Sequence, residues 1–348
     1  MGGLYALPSW FSFMGEPAGT YLGWINACYF LANGIFFPVG AWVSETFGRK
    51  RSIYVGYVVL FAGIIMQSAA HSEKTFTYAR LLIGAGTAFV SVAAPVIISE
   101  IAFPSHRSIA SALYMCGYYV GGTLSGWVTF GTRVIESNWA WRIPVIMQFA
   151  CPLLALTGFI MSPESPRWLI SVGKVDQARQ IIADFHAGGD LDNPLVSYQM
   201  TEIEATITAE KEHSASASYM DMTKTRGNRH RLLISISLGI FSQWAGNGVV
   251  SYYLPLMLST VGIKTVSQQT LISACLNVWN LLWAIAAALY VDRLGRRFLF
   301  LASASIMLVS FIVITGLSGS FATNPVPAVG VSVIPFIFIF FTGYDIAL

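Results

Sequence analysis

The feature that most limits what this chain can fold into is a succession of apolar runs, each about 20 residues long. A run of that length crosses the hydrocarbon core of a bilayer as one helix. Short of a closed barrel, no other backbone geometry satisfies its peptide groups there. Nine runs are read, near residues 20–43, 52–70, 79–101, 108–130, 142–162, 232–258, 268–290, 298–318 and 326–346. Only 11% of the sequence is charged, where soluble domains carry about 25%. The expectation is an all-α polytopic membrane protein. A net charge of +3 is too small to argue for nucleic acid. Cys28, Cys116, Cys151 and Cys275 fall in apolar runs without paired spacing. They are expected to be buried packing residues, forming neither a disulfide framework nor a metal site.

Residues 1–19, with Pro8, Gly15, Glu16 and Pro17, read as a loop. The one long polar segment is 163–231. In it, the stretch KVDQARQIIADFHAGG predicts a surface helix ended by Gly188 and Gly189. MTEIEATITAEKEH predicts another, and SASAS a flexible join. The organisation expected is an N-terminal helical bundle over 1–162, a cytoplasmic loop over 163–231 and a C-terminal bundle over 232–348. Most of the 20 Lys and Arg residues lie in 44–51, 102–107, 163–231 and 291–297, which places those loops in the cytoplasm. Residue 1 then starts outside and residue 348 ends inside. Nine spans with an external start is an awkward arrangement for a complete protein, so truncation is expected.

Polar residues inside the apolar runs carry the functional signal. In FSQWAGNGVVSYYLP, residues 241–255, a continuous helix would set Gln243, Asn247 and Ser251 on one face, with Tyr252 and Tyr253 nearby. Amides facing hydrocarbon are costly, so this face lines a wet cavity or packs on another polar helix. Gly246 and Gly248 weaken the helix there. The residues alone leave open whether the strip reads a ligand rich in hydroxyls or glues two helices. Asn277 and Asn280 share a second face, with Trp279 and Trp283 alongside. Amides beside aromatics suit a sugar, which has hydroxyl edges and an apolar ring face.

Two turns resemble each other: Glu45-Thr-Phe-Gly-Arg-Lys-Arg, and Asp292-Arg-Leu-Gly-Arg-Arg. Both put glycine and paired basic residues between adjacent spans, one before the central polar segment and one after it. That repeat points to a transporter of two parallel halves.

With these turns, the stretches ARLLIGAGTAFVSVAAPVIISEIAFPSHRS, PESPRWLI, FSQWAGNGVVSYYLP and VDRLGRR carry a family resemblance across most of the chain. It resembles the sugar porter branch of the major facilitator superfamily, most closely its fungal hexose and lactose permease-like members. The resemblance implies a partial major facilitator fold, about nine helices of an expected twelve. The first span is mostly missing, and the last two are absent. It also implies transport of a hexose or a disaccharide such as lactose by alternating access, with protons as an optional second cargo. Substrate-binding residues implied, by motif or by the pattern above, are Gln243, Asn247, Asn277, Asn280, Tyr253 and Trp283. Those of a gate or charge network are Arg49, Arg80, Glu100, Arg107, Glu164, Arg167, Asp292, Arg293 and Arg296. Tyr344 and Asp345 fall where members carry an aromatic and an acid. Departures are Met115 at a polar position, Ser242 for the first of two glutamines, and Thr46 for an arginine. The family implies a multi-pass protein of the plasma membrane, acting as a monomer without a cofactor. The alternatives are a non-transporting sensor of the same fold and an inactive truncated product. No nucleophile–base set, phosphate cradle or metal-ligand cluster is legible, and the five histidines fall in expected loops, so an enzyme is not expected.

Overall fold

The computed structural model describes residues 2–214 and 220–347, apart from the side chains of residues 213, 214, 291–294, 296 and 347. The expected join over 214–218 and the side chains of His213, Asp292, Arg293 and Arg296 lie outside the described residues. Apart from short 3-10 turns, the regular structure is helical: α1 (Pro8–Phe13), α2 (Gly19–Phe47), α3 (Arg49–Ser68), α4 (Glu73–Ile101), α5 (Arg107–Thr132), α6 (Trp139–Ile146) and α7 (Ala150–Met161). The polar segment and the start of the next apolar run form α8 (Pro166–Ser171), α9 (Val175–His186), α10 (Pro194–Ser214), α11 (Asp221–Lys224) and α12 (Arg226–Trp244). The last group is α13 (Asn247–Thr260), α14 (Val266–Leu294), α15 (Arg296–Thr323) and α16 (Pro327–Ala347).

Eight of the nine expected runs are helices long and apolar enough to cross a membrane. The ninth, α5, is a helix of 26 residues with five glycines and several Ser, Thr and Tyr side chains, which lower its hydropathy. Two of the eight are interrupted. A 3-10 turn over Met147–Phe149 separates α6 from α7. Ala245 and Gly246 separate α12 from α13, with Gly246 at φ 95°. In the polar segment, α9 ends before Gly188 and Gly189, both at positive φ, as the sequence suggests. The second helix begins earlier than expected, at Pro194, where the Asn193 side chain accepts from the Leu195 amide. His186 and His230 sit in helices rather than loops, because the amphipathic and apolar patterns around them run through those positions.

Helices α2, α3 and α4 pack closely, and α14, α15 and α16 form a second group. The first group is held by backbone approach at small residues: a Cβ on Gly86 of α4 would stand 2.5 Å from the Leu60 amide nitrogen of α3. The groups meet mainly through α5 and α14. A Cβ on Gly126 would stand 3.0 Å from the Ala274 Cα, and one on Gly122 2.9 Å from Asn277 Oδ1.

Residues 2–14 are not the expected loop. A 3-10 turn over Gly2–Ala6 and helix α1 bury Leu7, Trp10 and Met14 against Phe76, Trp141 and Val145. The segment carries apolar residues that would otherwise face water, and together they close the end of the molecule opposite the basic loops. The cysteines divide: Cys28 and Cys116 are buried as expected, whereas Cys151 and Cys275 are exposed, Cys151 at the wall of a cavity beside Gln148.

The two repeated turns share their geometry, with Gly48 at φ 104° and Gly295 at φ 81°. A side chain costs about 1–3 kcal/mol in such a backbone. At Gly48 a Cβ would also meet Glu164 Oε2 at 2.7 Å, whereas at Gly295 it meets nothing within 4 Å among the described residues. Gly48→Ala is therefore expected to lower the thermal unfolding midpoint in detergent more than Gly295→Ala. Equal shifts would show that the Glu164 contact contributes nothing.

Candidate functional site

A cavity of about 530 Å³ lies between the two helix groups. It is lined by α5, Phe30 of α2 and Gly3 of the first turn on one side and by α12, α13, α14 and α16 on the other. Its volume falls within the range of about 300–1,000 Å³ usual for small-molecule sites. Gln243, Asn247, Asn277 and Asn280 all line it, so the structure brings the four predicted amides together. They reach it by a route the sequence pattern does not show. The break at Gly246 re-aims the chain between Gln243 and Asn247, and only Asn247 and Ser251 share a continuous helix face. There the Ser251 hydroxyl donates to Asn247 Oδ1 at 2.8 Å. Asn277 donates to the Ser273 carbonyl of its own helix at 2.8 Å, leaving its Oδ1 beside Gly122.

Tyr253 and Trp283 do not line this cavity. Tyr253 stacks on Tyr5 with ring centroids 6.4 Å apart, as part of the apolar closure. Trp283 lies edge-on to Trp279 at 6.0 Å, and Trp279 donates to Thr342 Oγ1 at 2.8 Å to join α14 to α16. One step along a helix turns a side chain by about 100°, so the neighbour of a lining residue faces elsewhere. Tyr252 takes the place expected for Tyr253, and Tyr118, Tyr119, Phe30 and Tyr344 supply the aromatic surface. Met115 also lines the cavity, so the departure from the family pattern falls within the site.

Asp345 is the one charged residue among the described residues that line the cavity. It is 7% exposed and accepts from the Tyr119 hydroxyl at 2.8 Å, a bond that runs from one helix group to the other. With its amide nitrogen turned toward Asp345, Asn280 donates to Oδ2 at 3.2 Å and to the Leu276 carbonyl at 3.0 Å. Both partners are separated widely from Asp345 in sequence, so no local pattern announces the cluster.

An adjoining cavity of about 330 Å³ shares Phe30, Tyr118, Ser125 and Tyr252 with the first. Arg80 lines it, 6% exposed, its guanidinium 5.9 Å from the centroid of the Tyr29 ring. Its Nε has no hydrogen-bond partner among the described residues.

The expected gate residues sit at the basic end. Arg49 and Glu100 form a two-pronged pair, Nε to Oε2 at 3.2 Å and Nη2 to Oε1 at 3.1 Å. Glu164 accepts from the backbone amides of Arg49, Lys50 and Ser165, so it caps the start of α3. Arg167 pairs with Glu210 in the polar segment. Arg107 donates to the Ala102 carbonyl at 3.4 Å, close to its own helix start. These described contacts join α2–α4 to the polar segment within one half. The cross-half pairing expected of them would need Asp292, Arg293 or Arg296, which lie outside the described residues.

The fold is that of a polytopic helical membrane protein, two groups of long helices about a shared cavity. Residues 6–348 match the family model described as sugar (and other) transporter, and the chain belongs to that family. It is 30% identical over 289 residues to the MFS-type transporter oryC of Aspergillus oryzae, covering 81% of this chain and 53% of that one. It is 28% identical over 320 residues to a high-affinity glucose transporter of Kluyveromyces lactis, covering 91% and 57%. The chain thus spans about half the length of the curated relatives it matches. Its fold resembles the proton:xylose symporter XylE bound to 6-bromo-6-deoxy-D-glucose, at 22% identity and a TM-score of 0.79. That match covers 99% of this chain and 74% of the other.

The Arg49–Glu100 pair is largely shielded, with side chains 14% and 12% exposed, whereas Arg167 and Glu210 are 38% and 58% exposed. Breaking a buried pair leaves an uncompensated charge, at about 3–5 kcal/mol when burial is complete; an exposed pair is worth about 0–1 kcal/mol. Glu100→Gln is expected to lower the unfolding midpoint well beyond Glu210→Gln. Similar midpoints would assign the Arg49 pair no structural weight.

Proposed function

We propose that the protein binds a hexose or a disaccharide such as lactose in the cavity between the two helix groups and carries it by alternating access. The observation that carries this reading is the convergence of Gln243, Asn247, Asn277 and Asn280, beside tyrosines from both groups, on one cavity. Amides donate and accept at once, which suits hydroxyls of either polarity, and tyrosine faces suit the apolar side of a sugar ring. The similarity to a glucose transporter supports a sugar as cargo. The similarity in fold to a proton:xylose symporter supports protons as its companion.

The domain division we propose is an N-terminal bundle over 1–162, the cytoplasmic segment 163–231 and a C-terminal bundle over 232–348, acting as a monomer in the plasma membrane. The two bundles would rock about the α5–α14 seam, with the cavity at the axis.

Each amide is expected to contribute about 0.5–1.5 kcal/mol to binding, or roughly two- to tenfold in affinity. Titration of the purified chain in lipid nanodiscs with glucose and with lactose is expected to show weaker binding for Gln243→Ala and Asn277→Ala. Trp283→Phe is expected to leave affinity unchanged. Undiminished binding in both amide variants would remove the sugar from this cavity.

A further inference from the structure

We propose that Asp345 is a proton-binding site of the carrier, and that its loading is linked to occupancy of the cavity and to the contact between the two helix groups. The linkage rests on the sugar reading above; the proton site itself does not. A carboxylate withdrawn from water and from cations is costly to keep ionised, so acids within a membrane take up a proton or a cationic partner. Among the described residues, the groups that face Asp345 supply no cation. Tyr118 and Tyr119 come from α5, Tyr252 from α13, and Tyr344 from its own helix. Helix α14 contributes the neutral amides Asn277 and Asn280. Helix α15 packs on α16 near this level through Ile306 and Met307, against Gly343. Arg80, the buried cation of the adjoining cavity, lies over Tyr29 instead.

The immediate partners can serve both states of the acid. When Asp345 is ionised, the Tyr119 hydroxyl donates to Oδ1 and the Asn280 amide nitrogen to Oδ2. When a proton is added to Oδ2, the new O–H becomes a donor, and Asn280 can accept it by turning its amide oxygen inward. Oδ1 is then part of a neutral acid and holds Tyr119 less strongly, because a bond to an ionised acceptor is roughly twice as strong as a neutral one. Loading therefore weakens a bond across the two groups. It also loosens the Tyr119 hydroxyl and turns the Asn280 amide nitrogen away from Asp345; both residues line the cavity, so both donors become available to the hydroxyls of a bound ligand. Proton and polyol then favour one another's binding, which is the coupling a symporter needs.

An apolar carbodiimide, dicyclohexylcarbodiimide, tests the proton site without any substitution. It reacts with the protonated acid: the carboxyl O–H adds across one C=N bond, oxygen to the central carbon and proton to nitrogen. The purified chain in liposomes is treated across a pH series and the adduct located by mass spectrometry. Asp345 is expected to be modified at acid pH, with labelling falling by up to about tenfold per pH unit once the acid ionises. Glucose or lactose is expected to slow the reaction. Absence of labelling, or labelling independent of pH in chain that tryptophan fluorescence shows to be folded, would overturn the proton site. In parallel, Asp345→Asn is expected to remove the dependence of sugar binding on pH, whatever its effect on affinity at a single pH. A pH dependence in this variant equal to that of the native chain would overturn the linkage. If the native chain labels as expected but binds no sugar at any pH, the sugar reading fails and the proton site stands.

Discussion

In hydrocarbon no water is present to satisfy a peptide group, and the rest of this structure depends on that. Every helix long enough to cross must make its own hydrogen bonds, and irregular backbone is tolerable only where protein or a wet cavity surrounds it. The two interrupted spans obey this rule. The turn over Met147–Phe149 brings Met147 and Gln148 to the walls of cavities. The break at Ala245 and Gly246 lies between Gln243 and Asn247, both of which line the main cavity. A continuous helix through 241–255 would leave fewer backbone groups without a helical partner. The break instead lets one span present amides at two angles to the same space.

The same constraint explains which spans are plain in the sequence. Helices whose outer faces meet lipid are apolar around most of their circumference, and length alone marks them. Helix α5 is different, because one face carries Tyr118, Tyr119, Ser125 and Thr129 to the cavity while glycines meet α14. Its low apolarity follows from the small and polar residues it sets against the cavity and α14, and its 26-residue helix is still visible from the spacing of its breaks. The four amides are legible because a buried amide needs a reason. Tyr253 lies one step of helix angle from the lining Tyr252, and Trp283, three residues beyond Asn280, packs on Trp279 instead, since proximity in sequence does not fix the face. The Tyr119–Asp345 bond joins positions 226 apart, and no periodic pattern encodes a contact of that separation. Nor does hydropathy show that residues 2–14 fold back as a closure, since Pro8 and the glycines are equally consistent with a loop.

At the basic end, contacts among several helix termini brace one helix group. Arg49 is tied to Glu100 at the end of α4 and to the Ser44 carbonyl at the end of α2. Glu164 holds the first amides of α3, and the Trp168 indole donates to the Glu45 carbonyl at 2.9 Å. His186 bridges the Ile101 carbonyl at 2.9 Å and Gln199 Oε1 at 2.7 Å, fixing α9 and α10 to the end of α4. Each bond closes a helix terminus that would otherwise leave orphan groups, so termini of α2, α3 and α4 share one network.

The seam between the halves has the opposite character. Across α5 and α14 the contact is made by Gly122, Gly126 and Ala274, small residues that give close approach, with the Asn277 amide lying in the groove the two glycines leave. The polar link described there at the depth of the cavity runs through Tyr119 and Asp345, a bond whose strength depends on one proton. A bundle braced at its basic end, set against its neighbour along a seam of small residues, would concentrate any relative motion at that seam. The same seam is where the amides and the acid meet the cavity, so under the carrier reading proposed above a bound ligand or proton would act directly on that contact. Binding energy released at a distance from the seam would have to be transmitted through packed helices, whereas here it is applied directly.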